Sequence, residues 1–202
     1  MKVYEAIFDE SISEGVFGIS LVENPAMEDH WITLSEQKQE IQFSAVNDEK
    51  QLLLGAVLIP NKKVYRKVDD NEFYITFTSE TIGKLAHNFL RKGHQNSSSK
   101  EHEIKTDGVS FVESWQVEDP KVDKSALYGK EYEKGTWVTM AHVDKDIYND
   151  AKNGIYKGFS IDGLLQLQEI NLKSEIKMEN ETSKSIIDAI KDGFQALLGN
   201  QP

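Results

Sequence analysis

From Lys152 to Gly163 the chain reads Lys-Asn-Gly-Ile-Tyr-Lys-Gly-Phe-Ser-Ile-Asp-Gly, and this stretch constrains the fold more than any other. Gly154 stops a short helix, Gly158 lets the backbone turn, and Phe159-Ser160-Ile161 opens an apolar strand. Gly163 closes the run and permits a second backbone to approach closely. The chain must therefore turn sharply from helix into buried strand, and that strand carries one hydroxyl, that of Ser160. Backbone amides left free in such a turn can bind an oxyanion. A serine hydroxyl is a poor nucleophile until a base removes its proton, so Ser160 as a nucleophile requires a histidine and an orienting group close in space.

The remaining chain is punctuated as a mostly β protein. Val16–Val22 is an apolar, β-branched run stopped by Glu23-Asn-Pro25. Trp31–Leu34, Ile41–Val46, Gln51–Ile59, Phe73–Phe77, Val109–Val117, Gly135–Val143 and Leu164–Leu172 read as further strands. Ser79 is placed to cap a helix whose inner face is Ile82, Leu85, Ala86, Phe89 and Leu90, with Gly93 beyond its end. Asp144 caps a shorter helix with Ile147, Tyr148 and Ala151 inward. Residues 94–102 and 120–134 read as polar surface loops. The expected organisation is a folded domain over 1–172, a polar linker over 173–181 and an amphipathic helix over 182–198, its stripe built from Ile186, Ile187, Ile190, Phe194, Leu197 and Leu198.

Composition removes several classes of function. A net charge of −11 repels nucleic acid and anionic lipid. Without cysteine there is no disulfide framework, thiolate chemistry or cysteine-bound zinc. The first ten residues carry acids where a signal peptide has its apolar core, and no apolar run approaches the roughly 18 residues of a membrane span. The expectation is a soluble intracellular protein. Five histidines can serve as base: His30, His87, His94, His102 and His142. His87 belongs beside the apolar stripe of its helix as a structural residue, and His142 ends a strand. His94 and His102 lie in the polar loop, where a scaffold commonly presents catalytic groups. No histidine pair has metal-ligand spacing with an acid to complete it. Ser160 sits in Gly-x-Ser-x-x-Gly, one residue away from the nucleophile elbow of α/β-hydrolases, whose strand–helix alternation is also lacking.

Several segments together resemble one family: Ile19-Ser-Leu-Val-Glu-Asn-Pro-Ala26, Phe73-Tyr-Ile-Thr-Phe-Thr-Ser-Glu-Thr-Ile82, His102-Glu103, Val112-Glu-Ser-Trp115, Gly135-Thr-Trp-Val138 and Gly158-Phe-Ser-Ile161. They cover about residues 15–170 and are similar to the XkdF-like phage serine proteases. The helix followed by Gly-Phe-Ser-Ile also resembles the nucleophile region of prohead, or capsid maturation, proteases. The resemblance implies an α+β fold: a mostly antiparallel β-barrel of the herpesvirus-assemblin type, flanked by helices. It implies Ser160 as nucleophile and His102 as general base, with no cofactor. In the ordinary prohead proteases an acid precedes a Ser-Leu-Val strand downstream of the nucleophile. Here the matching position is Gly18, so Glu113 is the substitute third member and His142 the runner-up. Because Ser20-Leu-Val precedes Ser160 here, the resemblance also implies a circular permutation, with the Phe17–Val22 strand in one sheet with the strand of Leu164–Leu172. The implied partners are phage major capsid and scaffold proteins, with a homo-oligomer also open, in the host cytoplasm inside the assembling prohead. Two rivals stand beside this reading: a non-enzymatic capsid-assembly or scaffolding protein that retains the fold, and a hydrolase of small esters.

Overall fold

A computed structural model describes residues 1–24, 44–47, 50–68 and 71–170. The strand expected at Trp31–Leu34, the linker at 173–181 and the helix at 182–198 lie outside these residues. Met1–Gln168 forms one compact unit; of the second, Glu169–Pro202, only the first two residues are described.

Strands dominate the described residues. In chain order they are β1 (Lys2–Ile7), β2 (Gly15–Val22), β3 (Ser44–Asn47), β4 (Leu52–Leu58), β5 (Val64–Val68) and β6 (Asn71–Thr76), then α1 (Ser79–Arg91). After it come β7 (Ser98–Lys100), β8 (Ile104–Thr106), β9 (Val109–Gln116), β10 (Trp137–Val143), α2 (Lys145–Lys152), β11 (Gly158–Leu164) and β12 (Gln166–Ile170). They form three four-stranded sheets in the orders β12-β1-β6-β5, β3-β4-β10-β9 and β11-β2-β7-β8. The α+β character expected from the sequence is present, but no closed barrel forms among the described residues. Two pairings, β1 with β6 and β2 with β7, are parallel; most others are antiparallel.

The long apolar runs become the central strands β2, β4 and β10, because a strand covered on both faces needs apolar residues at nearly every position. In β10 every residue except His142 is buried. Trp137 and Ala141 join the main core, while Val138 and Met140 join a smaller cluster with Leu54 and Val117. Tyr132 packs against both clusters, so the stretch expected to be a loose surface loop contributes to the core. The same stretch holds a 3₁₀ turn at Lys124–Tyr128, capped by Asp123.

Helix α1 is capped one residue earlier than expected. Thr78 is extended and its hydroxyl accepts from Thr81 N at 3.2 Å. Ile82, Leu85, Ala86 and Phe89 are buried, whereas Leu90 is 40% exposed and outside the stripe. His87 is exposed too, not the half-buried structural residue expected. Phe89 meets Trp137 and Phe111 edge-on at 5.6 and 5.8 Å, and Phe111 meets Phe159 at 5.7 Å. This aromatic file joins α1, β10, β9 and β11, fixing the residue next to Ser160 from the core side.

The strand expected to share a sheet with Leu164–Leu172 pairs elsewhere: β2 runs antiparallel to β11, the strand of Ser160 itself. Leu164 ends β11, and the chain continues as β12 in the sheet of β1. Strands also form where the sequence assigns none: β1, β5 and β8 in stretches without an assigned element, and β7 in one expected to be a loop. The charged residues of β1 conceal buried Val3 and Ala6. The polar loop at 94–102 contains β7, held by Ser98 Oγ donating to Ile19 O at 2.8 Å.

Since Phe111 touches aromatic rings on two sides, Phe111→Ala should lower unfolding free energy by about 3 to 5 kcal/mol. Urea denaturation followed by tryptophan fluorescence would read this as an earlier midpoint at unchanged slope.

Candidate functional site

The alternation of a strand decides which side chains of β11 and β2 share a face. Phe159, Ile161, Ile19 and Leu21 point into the main core. Ser160, Asp162 and Ser20 therefore project from the opposite face. The register sets Ser160 opposite Ser20 and Asp162 opposite Gly18, and the parallel pairing of β2 with β7 sets Ser20 opposite Ser99. Three serines thus form a row across three strands, with Asp162 one step further along β11.

Asp162 is the centre of a hydrogen-bonded cluster. Ser20 Oγ donates to Asp162 Oδ2 at 2.6 Å. Ser20 and Ser99 hydroxyls are also 2.6 Å apart; each has one proton and that of Ser20 is committed to the carboxylate, so Ser99 donates to Ser20. Ser99 also reaches Asp162 Oδ2, more loosely, at 3.5 Å. The other oxygen, Oδ1, lies 2.5 Å from His102 Nδ1. A carboxylate only accepts, so Nδ1 carries a proton and Nε2 of the neutral ring holds a lone pair. The His102 and Asp162 side chains are 40% and 25% exposed.

A strained turn delivers His102 to this position. Glu101 and His102 have φ of 51° and 61°, two successive left-handed residues, and Glu103 N bonds back to Lys100 O at 3.1 Å. The twist of such a turn suits the two short strands β7 and β8 that it joins. Non-glycine residues held in this region cost on the order of 1 kcal/mol or more each, and such positions cluster at functional sites. Glu101 is fastened through its backbone N to Leu21 O and through its carboxylate to Glu23 N.

Ser160 is buried at 3% exposure, and its hydroxyl has no hydrogen-bond partner. It borders a cavity of about 10 Å³ together with Val64, Arg66 and Phe77, barely room for one water. Burial there pushes the Arg66 guanidinium below its ordinary pKa. Ser160 and His102 belong to one sheet and its connecting turn but are not hydrogen-bonded to each other.

The other sequence candidates lie elsewhere. Glu113 is on β9, in a different sheet, where its carboxylate is bound by Lys124 in a groove with Val112 and Trp115. The carboxylate on His102 is that of Asp162, not Glu113. His142 is exposed on β10, and His94 stacks near Phe89 at 6.0 Å. Asp162, Ser20 and Ser99 were missed from the sequence. A spacing of two from Ser160 within a strand was the available signal for Asp162; the pairing that brings in Ser20 has no local trace. Among the described residues there is no cluster of three or more metal-ligating side chains, and no helix long and apolar enough to cross a membrane.

Gly163 behaves as the sequence suggests. A Cβ there would lie 2.8 Å from Gly15 O, at the bulge between Asp162 and Gly163. Gly163→Ala should therefore cost about 1 to 3 kcal/mol through forced separation of β11 from β2. Thermal unfolding would show it as a lowered Tm.

Comparison with known proteins follows the same residues. A family model described as "Putative phage serine protease XkdF" matches residues 40–169, which include His102, Ser160 and Asp162. The uncharacterized protein YqbD of Bacillus subtilis is 24% identical over 191 residues, 92% of this chain and 55% of that protein. The phage-like element PBSX protein XkdF of the same organism is 29% identical over 136 residues, 66% of this chain and 44% of its own length. The chain thus spans about half the length of these curated relatives. No solved structure matches it.

Proposed function

Because this chain belongs to the family described as "Putative phage serine protease XkdF", we propose that it is a serine endopeptidase of capsid maturation, with Ser160 as nucleophile and His102 as general base. The observation that carries the reading is the imidazole of His102: Nδ1 is occupied by a carboxylate, Nε2 is free to accept a proton, and the ring belongs to the sheet that carries Ser160. In this reading the Ser160 proton passes to His102 Nε2 as Oγ bonds to the carbonyl carbon of a peptide. The carbonyl electrons move to oxygen. The imidazolium then gives its proton to the leaving amine as the C–N bond breaks, and water releases the acyl group by the same steps in reverse order of roles. Contact between Ser160 and His102 is made as substrate binds, since catalytic hydrogen bonds are often long in the free enzyme.

The substrates in this reading are scaffold protein, major capsid protein or both, processed inside the prohead in the host cytoplasm. An assemblin-like, permuted strand order is its structural counterpart, without a closed barrel among the described residues, and the position of β2 directly beside β11 supports the permutation. A small-ester hydrolase would need a deep apolar pocket; the cavity at Ser160 is far smaller than the roughly 300 Å³ of an ordinary ligand site.

Incubation of the full chain with the capsid and scaffold proteins of its phage, followed by mass spectrometry, should show defined cleavage products. Ser160→Ala should remove them, a loss of several orders of magnitude in kcat, with folding intact. His102→Ala should be as damaging, and the double variant little worse, because members of one unit are not additive. Undiminished cleavage by Ser160→Ala would reject the nucleophile; no cleavage by the wild type would favour the non-enzymatic assembly protein.

A further inference from the structure

We propose that Asp162 is the residue that positions His102 for proton transfer, the place that the sequence assigns to Glu113. The inference rests on the protease reading and deepens it. Its basis is that both oxygens of one carboxylate are committed. Oδ1 holds the His102 ring at Nδ1, while Oδ2 is held by Ser20, which is held in turn by Ser99. A carboxylate that served only to neutralise a surface histidine would have no need of two buried or half-buried hydroxyls on its far side. Here the hydroxyls set the orientation of the carboxyl group, and the carboxyl group sets that of the ring. The partner strand makes room for this arrangement. Asp162 faces Gly18, where a Cβ would lie 3.3 Å from Oδ2, so the absence of a side chain leaves the carboxylate free to turn towards Ser20 and His102.

The chemical consequence concerns the tautomer. With Nδ1–H donated to Asp162, the ring presents its lone pair at Nε2, and the positive charge that forms when Ser160 is deprotonated lies next to an anion already in place. An amide at position 162 can donate its NH₂ to Nδ1 and so favour the opposite tautomer, with Nε2 protonated and unable to act as base. Glu113 has no comparable role, because its carboxylate pairs with Lys124 on another sheet.

The test combines kinetics with a signature independent of cleavage. In the wild-type full chain, proton NMR should show a far-downfield imidazole N–H resonance that persists in Ser160→Ala and disappears in His102→Ala and Asp162→Asn. In cleavage assays Asp162→Asn should lose on the order of 10²- to 10⁴-fold in kcat with KM nearly unchanged, and Asp162→Glu, which keeps an acceptor, should recover part of that loss. Should Asp162→Asn fail to fold, Ser20→Ala reads the same role more gently. It removes one hydrogen bond from Oδ2 and should lower kcat by about 3- to 10-fold. Wild-type kcat in Asp162→Asn, a downfield resonance that survives in it, or inactivity of Glu113→Gln beside an active Asp162→Asn would each overturn the proposal. A wild-type protein that shows the resonance but cleaves nothing overturns the protease reading instead, and leaves the pairing of Asp162 with His102 standing.

Discussion

The register between β2 and β11 is the constraint on which the rest of the structure depends. It sets Ser160 against Ser20, and because side chains alternate along a strand, a slip of one residue would turn one strand over relative to the other, carrying Ser160 and Asp162 into the core while expelling Phe159 and Ile161, or doing the same to Ser20 against Ile19 and Leu21. The apolar face specifies that register strongly, since Phe159, Ile19 and Leu21 are buried together with half-buried Ile161 packed against them. The polar face inherits its order from it. Packing on one side of the sheet thus determines chemistry on the other, and the aromatic file through Phe89, Phe111 and Phe159 ties that decision to α1 and to the second sheet.

Much of the fold was legible because central strands of two of the three sheets, β2 in one and β4 and β10 in another, are continuous apolar runs. Val16–Val22, Gln51–Ile59 and Gly135–Val143 stand out in the sequence because each is covered on both faces in the structure. The helices were legible for a related reason, their stripes matching a period of 3.6. What escaped notice is short or mixed: β1, whose charges mask two inward residues, β5, with Arg66 and Lys67 among its five residues, and β7 and β8, three residues each, whose serines and lysine resemble loop composition. These strands are held by what lies beside them rather than by their own propensities.

The site was legible to a lesser degree, and the reason is physical. Ser160 and His102 carry local signals, a glycine-flanked strand and a histidine in a polar connection. The carboxylate beside them does not. Asp162 reads as one acid before a glycine, and only the pairing of β11 with β2 reveals that it faces the side-chain-free Gly18. The acid that the resemblance leads one to seek at position 18 is absent from that strand, yet the residue directly across the ladder is an aspartate. Glu113 drew attention because it follows His102 along the chain and precedes Ser114 and Trp115. Proximity in sequence proved a poor guide to proximity across sheets.

The hydrogen bond from Ser20 to Asp162 joins residues 142 positions apart. Closing a loop of that length costs roughly 4 kcal/mol in chain entropy, and contacts so distant in sequence are slow to form. The cluster is therefore assembled only after translation has passed Asp162 and most of the sheet framework is in place. A growing chain that has not yet reached β11 carries His102 and Ser20 without the carboxylate that joins them. Topology itself serves as a timer that keeps the site unformed during synthesis.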